Sequence, residues 1–273
     1  RLRKNAQAAG TEGMGAIDAP DNVSWRYAFE IGKDDGDPMI ISHDRNTLFI
    51  GVPKNGSQTA RAVLGQLGTD LVGEMGRHPT VPEAIRLAEV RFPGEVIAPT
   101  AIYAFWRDPV ERFCSAVEFH KRCLPNSFIQ LFPERFAGIK AHSRWFETDP
   151  DSVSLELRLA ISQTSPLDVI GILTPLTSRN DRAVTRGGKL SFYRPQVDWL
   201  REPSIIRLSF AHYETQLREL IHRFGGAWDV PELPRLNCDL APSPLLSEIE
   251  IAAIKSLYEM DQARITTTFQ SES

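Results

Sequence analysis

Lys54, His78, Arg107 and Ser115 are the side chains whose types and spacing could do chemistry together. Lys54 lies in Pro53-Lys54-Asn55-Gly56-Ser57-Gln58, between an apolar run, Leu48–Val52, that reads as a buried strand and a helix read over Thr59–Leu67. A strand, a tight glycine-containing loop and a helix are the parts of a phosphate cradle. The first N–H groups and positive dipole end of the helix face the anion, and glycine lets the backbone come close. A nucleotide triphosphatase loop would read G-x-x-x-x-G-K-[ST]. Gly51 and Gly56 keep that glycine spacing, but Ser57 stands in the lysine place, Gln58 in the place of the magnesium-binding hydroxyl, and Lys54 inside the loop. The stretch therefore reads as a cradle without the usual metal ligand. In it, Lys54 could set an ammonium beside a bridging oxygen, and Ser57 and Thr59 add hydroxyl donors. The plain alternative is a glycine turn with a surface lysine.

A second strand-to-helix step follows in Tyr103–His120, YAFWRDPVERFCSAVEFH. Asp108 suits an N-cap, Pro109 the first helical position, and Glu111 the place three after the cap. Asp108 is thus structural, and Arg107 is left at the C-terminal edge of a strand, where open α/β sheets bind ligands. Ser115 follows eight residues after Arg107, two helical turns along the same side. An arginine fork and a hydroxyl converging there can grip a second phosphate. The alternative is a structural ion pair at Arg107 and a small packing residue at Ser115.

Taken together the two stretches resemble the sulfotransferase family. Pro53–Ser57 looks like its 5′-phosphosulfate loop, and Arg107–Ser115 looks like its 3′-phosphate motif, with the same arginine-to-serine spacing and the same order. The likeness is closest to the carbohydrate sulfotransferase (sulfotransferase family 2-like) branch. There, a histidine segment leads through a helix into the strand before the second motif, as His78-Pro79-Thr80 does here; Gln196 in RPQVDWL and Tyr213-Glu214 in FAHYETQL match weaker landmarks. The likeness spans roughly Met39 to Phe224. Gln58 departs from it, standing where the family has threonine or serine. The R-K-G-x-x-G segment of the cytosolic branch is missing; Arg186-Gly187-Gly188-Lys189 reads as an exposed turn, or else as its substitute over the 3′-phosphate.

The resemblance implies 3′-phosphoadenosine-5′-phosphosulfate as donor, held by Lys54, Asn55, Gly56, Ser57, Gln58, Thr59, Arg107 and Ser115 without a metal. It implies Lys54 at the bridging oxygen and His78 as the base on an acceptor hydroxyl. Of the other histidines, His43 falls in a hairpin turn, His120 on a helix face or else bordering the acceptor cleft, and His142, His212 and His222 far from both motifs. The acceptor implied is a glycan or small molecule. Lys121–Phe146, with five basic residues, the single acid Glu134 and five interleaved aromatics, reads either as an insertion with its own small core or as a lid for an anionic or sugar-like acceptor. A phosphate-loop nucleotide kinase and a non-catalytic nucleotide-binding relative are the competing readings.

The elements that must position these residues are legible as an alternation. Residues 1–38 read as a polar extension with a short strand near Tyr27–Ile31, and 39–273 as the sulfotransferase domain. Met39–Ile41 and Thr47–Val52 flank a hairpin turn at His43–Asn46. Helices are read at Val81–Phe92, Pro109–Cys123, Ser152–Gln163 and Tyr213–Phe224, the last stopped by Gly225-Gly226. A final helix, with Ser247 and Glu250 as capping box, runs to near Ile265. Further strands are read at Thr100–Trp106 and Ile205–Leu208. Alternating strands and helices predict an α/β, P-loop-like three-layer fold with a mostly parallel central sheet flanked by helices.

A net charge of −4 offers no global field for nucleic acid. No apolar run approaches the roughly 18 residues of a membrane span. Three cysteines, Cys114, Cys123 and Cys238, are too few and too oddly spaced for a disulfide framework or a zinc site. A reducing, cytoplasmic setting is the simplest expectation, with the Golgi lumen as the alternative if an anchor preceded Arg1. Nothing in the sequence specifies an oligomeric state.

Overall fold

The computed structural model describes residues 38–72, 80–123, 128–129, 131–137, 155–178, 191–226, 233, 246–259 and 261. All belong to one unit, which begins at Asp34. The extension and strand expected before Pro38, His78, His142, and the 186–189 segment lie outside the described residues.

Strands β1 (Met39–Ser42) and β2 (Thr47–Ile50) form the expected hairpin, with Met39 opposite Ile50 and Ile41 opposite Leu48. The turn closes on side chains: Asp44 Oδ1 accepts the Asn46 amide at 3.0 Å, and Arg45 takes a positive φ of 64°. Strands β3 (Gly68–Asp70), β4 (Ala101–Trp106) and β5 (Ile205–Ser209) complete one five-stranded sheet in the order β3-β1-β2-β4-β5. β2/β4 and β4/β5 pair parallel, whereas β1/β2 and β1/β3 pair antiparallel. The sheet is therefore mixed: β1 runs against the other four strands, so two of the four pairings are parallel and two antiparallel. The hairpin turns the chain back at one edge, and Gly68–Asp70, too short to signal itself, adds to that edge.

Seven helices are described: α1 (Ser57–Leu64), α2 (Val81–Arg91), α3 (Pro109–Cys123), α4 (Leu155–Ser162), α5 (Pro166–Ser178), α6 (Tyr213–Arg223) and α7 (Glu248–Leu257). Strand alternation sends successive side chains to opposite faces. Ile41, Leu48, Ile50, Ile102, Ala104 and Ile205 pack with Val81, Ala84 and Ala88 of α2 on one face. Ile40, Phe49, Tyr103 and Phe105 pack with α1 and α6 on the other. A further apolar cluster joins α3, α5 and α7 through Phe113, Val117, Val169, Leu173 and Ile254. No described helix is long and apolar enough to cross a membrane.

The local chemistry explains most boundaries. Asp108 Oδ1 accepts the amides of Val110 and Glu111 at 2.9 and 3.0 Å, so α3 starts where its cap demands. Thr80 with Glu83 and Ser247 with Glu250 form capping boxes for α2 and α7. Gly225, at φ +83°, ends α6. α1 starts at Ser57 and stops at Leu64, two residues earlier and three residues sooner than its read bounds. At its end, the Gly65 amide returns to Arg61 O at 2.9 Å, and a Cβ on Gly65 would come within 2.6 Å of that carbonyl.

Candidate functional site

The three parallel strands all deliver their chains to one edge of the sheet. β2 enters α1 through residues 51–56, β4 enters α3 through Arg107-Asp108, and β5 enters α6 through the 3₁₀ turn Phe210–His212. The sequence-predicted donor residues from Lys54 to Thr59, with Arg107 and Ser115, fall at the first two crossings.

The first crossing is an open helix start. Gly56 occupies the N-cap position at φ 75° and ψ 16°, no side chain caps α1, and its first turn holds no acid. The first intrahelical bond runs from Ala60 N to Gly56 O, so the amides of Ser57, Gln58 and Thr59 precede the ladder and lie at the positive dipole end. Ser57 and Thr59 are buried and Gln58 is half-buried. Glycine at 56 is doubly required: the left-handed backbone disfavours any side chain, and a Cβ would sit 2.4 Å from the Tyr213 ring. Lys54 also adopts a left-handed conformation, φ 68°, which costs a non-glycine residue about 1–2 kcal/mol.

The loop is held in this shape in large part by side chains from elsewhere in the fold. Arg112 Nε donates to Pro53 O at 2.9 Å, Arg107 Nη1 donates to Lys54 O at 3.1 Å, and Tyr213 Oη donates to Gly56 O at 2.6 Å. Asn55, almost fully buried, donates through Nδ2 to Phe105 O and to Gln196 Oε1, both at 2.7 Å. The Lys54 ammonium lies 3.7 Å from the centroid of the Phe119 ring on α3, a cation–π contact.

Arg107 stands between the two motifs. Its guanidinium is mostly buried, 3.5 Å from Glu111 Oε2 and stacked 4.5 Å from the Phe210 ring. Burial lowers its pKa from the ordinary value, opposed by Glu111; a guanidinium stays cationic regardless. Glu111 thus serves Arg107 rather than completing a capping box. Ser115 is half-buried. It shares a helix stripe with Glu111 and Phe119, at spacings of four, and neighbours on such a stripe lie about 5–6 Å apart. Glu111 meets Arg107 and Phe119 meets Lys54, so Ser115 falls between the contacts made by the two cations.

The base assigned to His78 lies outside the described residues. His120 is fully buried against Phe128, with Nδ1 3.2 Å from Tyr193 Oη, which makes it part of the core rather than a cleft residue. His43, His212 and His222 are exposed. In the Lys121–Phe146 stretch, Phe128, Phe132 and Phe136 are buried in the α3/α5/α7 cluster. Lys121 and Arg122 lie 3.7 and 3.8 Å from Glu118, and Arg135 bonds Asp168 at 2.8 Å. The described aromatics there form a core, and the described cations have acidic partners.

Sequence reasoning passed over Arg112, Phe119 and Asp261. Helical spacing from Ser115 would have found the first two, at −3 and +4. Asp261 gives no local signal; its buried carboxylate accepts the amides of Gln196 and Val197, both at 2.9 Å, through contacts spanning more than sixty positions. What the arrangement can do is bind anions: an open helix start, a lysine, an arginine and a serine share one sheet edge. No family model, curated protein or solved structure matches the chain.

Proposed function

We propose that the chain is a sulfotransferase that moves a sulfuryl group from 3′-phosphoadenosine-5′-phosphosulfate to a hydroxyl of a carbohydrate or small-molecule acceptor. The observation that carries this reading is the joining of the two phosphate motifs into one site, through Arg107 on Lys54 O and Gln196 on both Asn55 and Arg107. A nucleotide with phosphates on both sides of its ribose needs such a pair. The open start of α1 with Lys54 suits the 5′ side, and Arg107 with Ser115 suits the 3′ side. On this reading the fold is of the P-loop-like three-layer kind.

In the transfer, the acceptor oxygen bonds to sulfur as the bond from sulfur to the bridging oxygen breaks. The electron pair of that bond stays on the bridging oxygen, which leaves as part of the 5′-phosphate, and the hydroxyl proton passes to a base. Lys54 neutralises the charge growing on the leaving oxygen, and His78, two residues before the cap of α2, is the base this reading assigns. The protein supplies alignment, a preorganised cation and proton removal.

The test is a thermal-shift comparison. The product nucleotide 3′,5′-bisphosphoadenosine should raise Tm far more than ATP with magnesium, because only it offers a 3′-phosphate. Arg107→Ala should remove most of that preference. Equal stabilisation by the two nucleotides would overturn the reading and favour a nucleotide kinase.

A further inference from the structure

Beyond Ile50 the loop leaves β2, and the end of β4 loses its neighbour on that side. Its main-chain groups must find other partners, since a buried unpaired amide or carbonyl costs about as much as a lost hydrogen bond. Two side-chain amides take over. Asn55 Nδ2 donates to Phe105 O at 2.7 Å. Gln196, fully buried, accepts the Arg107 amide on Oε1 at 3.1 Å and donates from Nε2 to Arg107 O at 2.8 Å, the two-way exchange a neighbouring strand would make. The same Oε1 accepts Asn55 Nδ2 at 2.7 Å. The Asn55 amide cannot be reversed, because its oxygen would then face two acceptors, Phe105 O and Gln196 Oε1. Its Oδ1 is left buried without a hydrogen bond, which indicates how firmly the Nδ2 side is fixed. Behind this, Asp261 pins the Gln196 backbone.

We propose that Gln196 is a positioning residue that sets the distance between the two phosphate motifs, so that its loss is felt by a ligand carrying two phosphates and not by one carrying a single phosphate. This rests on the sulfotransferase reading of the site. One amide grips the main chain of the residue that offers the arginine fork and the side chain of the residue beside Lys54. With that amide intact the two anion sites are preorganised, and the second phosphate binds as an intramolecular event. Without it, the loop and the strand end drift independently, while each remains able to meet a lone phosphate.

Titration calorimetry on the full chain, with 3′,5′-bisphosphoadenosine, adenosine 5′-monophosphate and adenosine 3′-monophosphate, separates these outcomes. The wild type should bind the bisphosphate much more tightly than either monophosphate. Gln196→Met keeps length and volume and removes every amide contact. It should cut the bisphosphate's advantage about 10-fold to 10²-fold, the scale of a roughly 1 Å misplacement, and leave each monophosphate within about threefold of wild type, as expected for an undisturbed site. Gln196→Asn, milder on the core and one methylene too short to reach both partners, should lower the advantage in the same sense if the methionine variant does not fold. An unchanged advantage, or an equal loss for all three ligands, overturns the positioning role and leaves the sulfotransferase reading standing. A wild type with no advantage for the bisphosphate overturns both.

Discussion

At the start of α3, Asp108 accepts two amides at 2.9 and 3.0 Å; at the start of α1, the cap is Gly56, which has no side chain to offer, and the first turn contains no acid. Both helices follow a parallel strand of one sheet and start at the same edge. One carries a side-chain cap of its own, and the other has none. The difference divides labour. The closed crossing aims cations: Arg107 and Arg112, before and just inside α3, reach across to Lys54 O and Pro53 O. The open crossing, braced by them, presents amides and Lys54.

The largest effect expected from breaking this arrangement is at Lys54. On the proposed sulfotransferase reading its charge matters most when the leaving oxygen becomes negative, so Lys54→Ala should cost about 10²–10³ in turnover, the typical loss for one preorganised donor, with little change in product-nucleotide affinity. Lys54→Gly should lose as much turnover and yet melt higher than Lys54→Ala. Glycine relieves the left-handed backbone, φ 68°, by about 1 kcal/mol. A glycine variant no more stable than the alanine variant would mean that the loop is not strained. Near-normal turnover with weakened affinity would make Lys54 a ground-state clamp.

A smaller and more pointed test gives the open helix the acid that the closed one has. Gln58→Glu puts a carboxylate in the first turn of α1, where it should stabilise the fold by about 0.3–1 kcal/mol through the helix dipole. The same charge should repel the incoming phosphate and weaken bisphosphate binding about 10-fold to 10²-fold, the scale of like charges a few Å apart in a partly buried site. Asp108→Ala should act on stability alone, losing about 0.5–2 kcal/mol with its cap and leaving binding nearly intact. If the two variants changed stability and binding in the same sense, the division between open and closed crossings would fail.

How much of this was legible follows from the range of the interactions. α3 could be placed to the residue because Asp108, Pro109 and the apolar spacing behind them act within one turn. The stop at Gly225 and the Ser247/Glu250 box are equally local. α5 was passed over: Pro166–Ser178 carries Gly171, Pro175 and three residues with β-branched stiffness in its first eight, and forms because Val169, Ile170 and Leu173 are buried in the α3/α5/α7 cluster. β3 has three residues and exists only as a partner of β1. That the sheet is mixed has a related reason: the hairpin could be read, but a count of alternating elements does not weigh how many pairings one hairpin and one short edge strand contribute. At the site, the lysine, the arginine and the open helix start could be read from local pattern. The Asn55–Gln196 contact, across 141 positions, could not.

The smallest effect expected concerns a second pair of regions, Asp108 and Asp261. Each carboxylate accepts two backbone amides, but Asp108 is exposed and Asp261 is fully buried. Burial raises the Asp261 pKa above the ordinary carboxylate value, although the Val197 and Gln196 amides and the nearby Arg112 pull it down. A carboxyl with a raised folded pKa holds its proton more tightly in the native state. Its contribution to stability is then fully present below the unfolded pKa, near 3.8, and is lost as pH rises through the folded value, at about 1.4 kcal/mol for each unit by which the two differ. Asp261→Asn removes the titration. It also turns an amide N–H toward one of the two backbone donors, so the variant should be less stable throughout. What isolates Asp261 is the stability difference between wild type and Asp261→Asn, measured by denaturant unfolding at successive pH values. That difference should shrink as pH rises from about 4 upward. If it grew instead, the two amides and Arg112 would outweigh burial, and Asp261 would stand behind Gln196 as a held anion, the buried counterpart of the cap at Asp108.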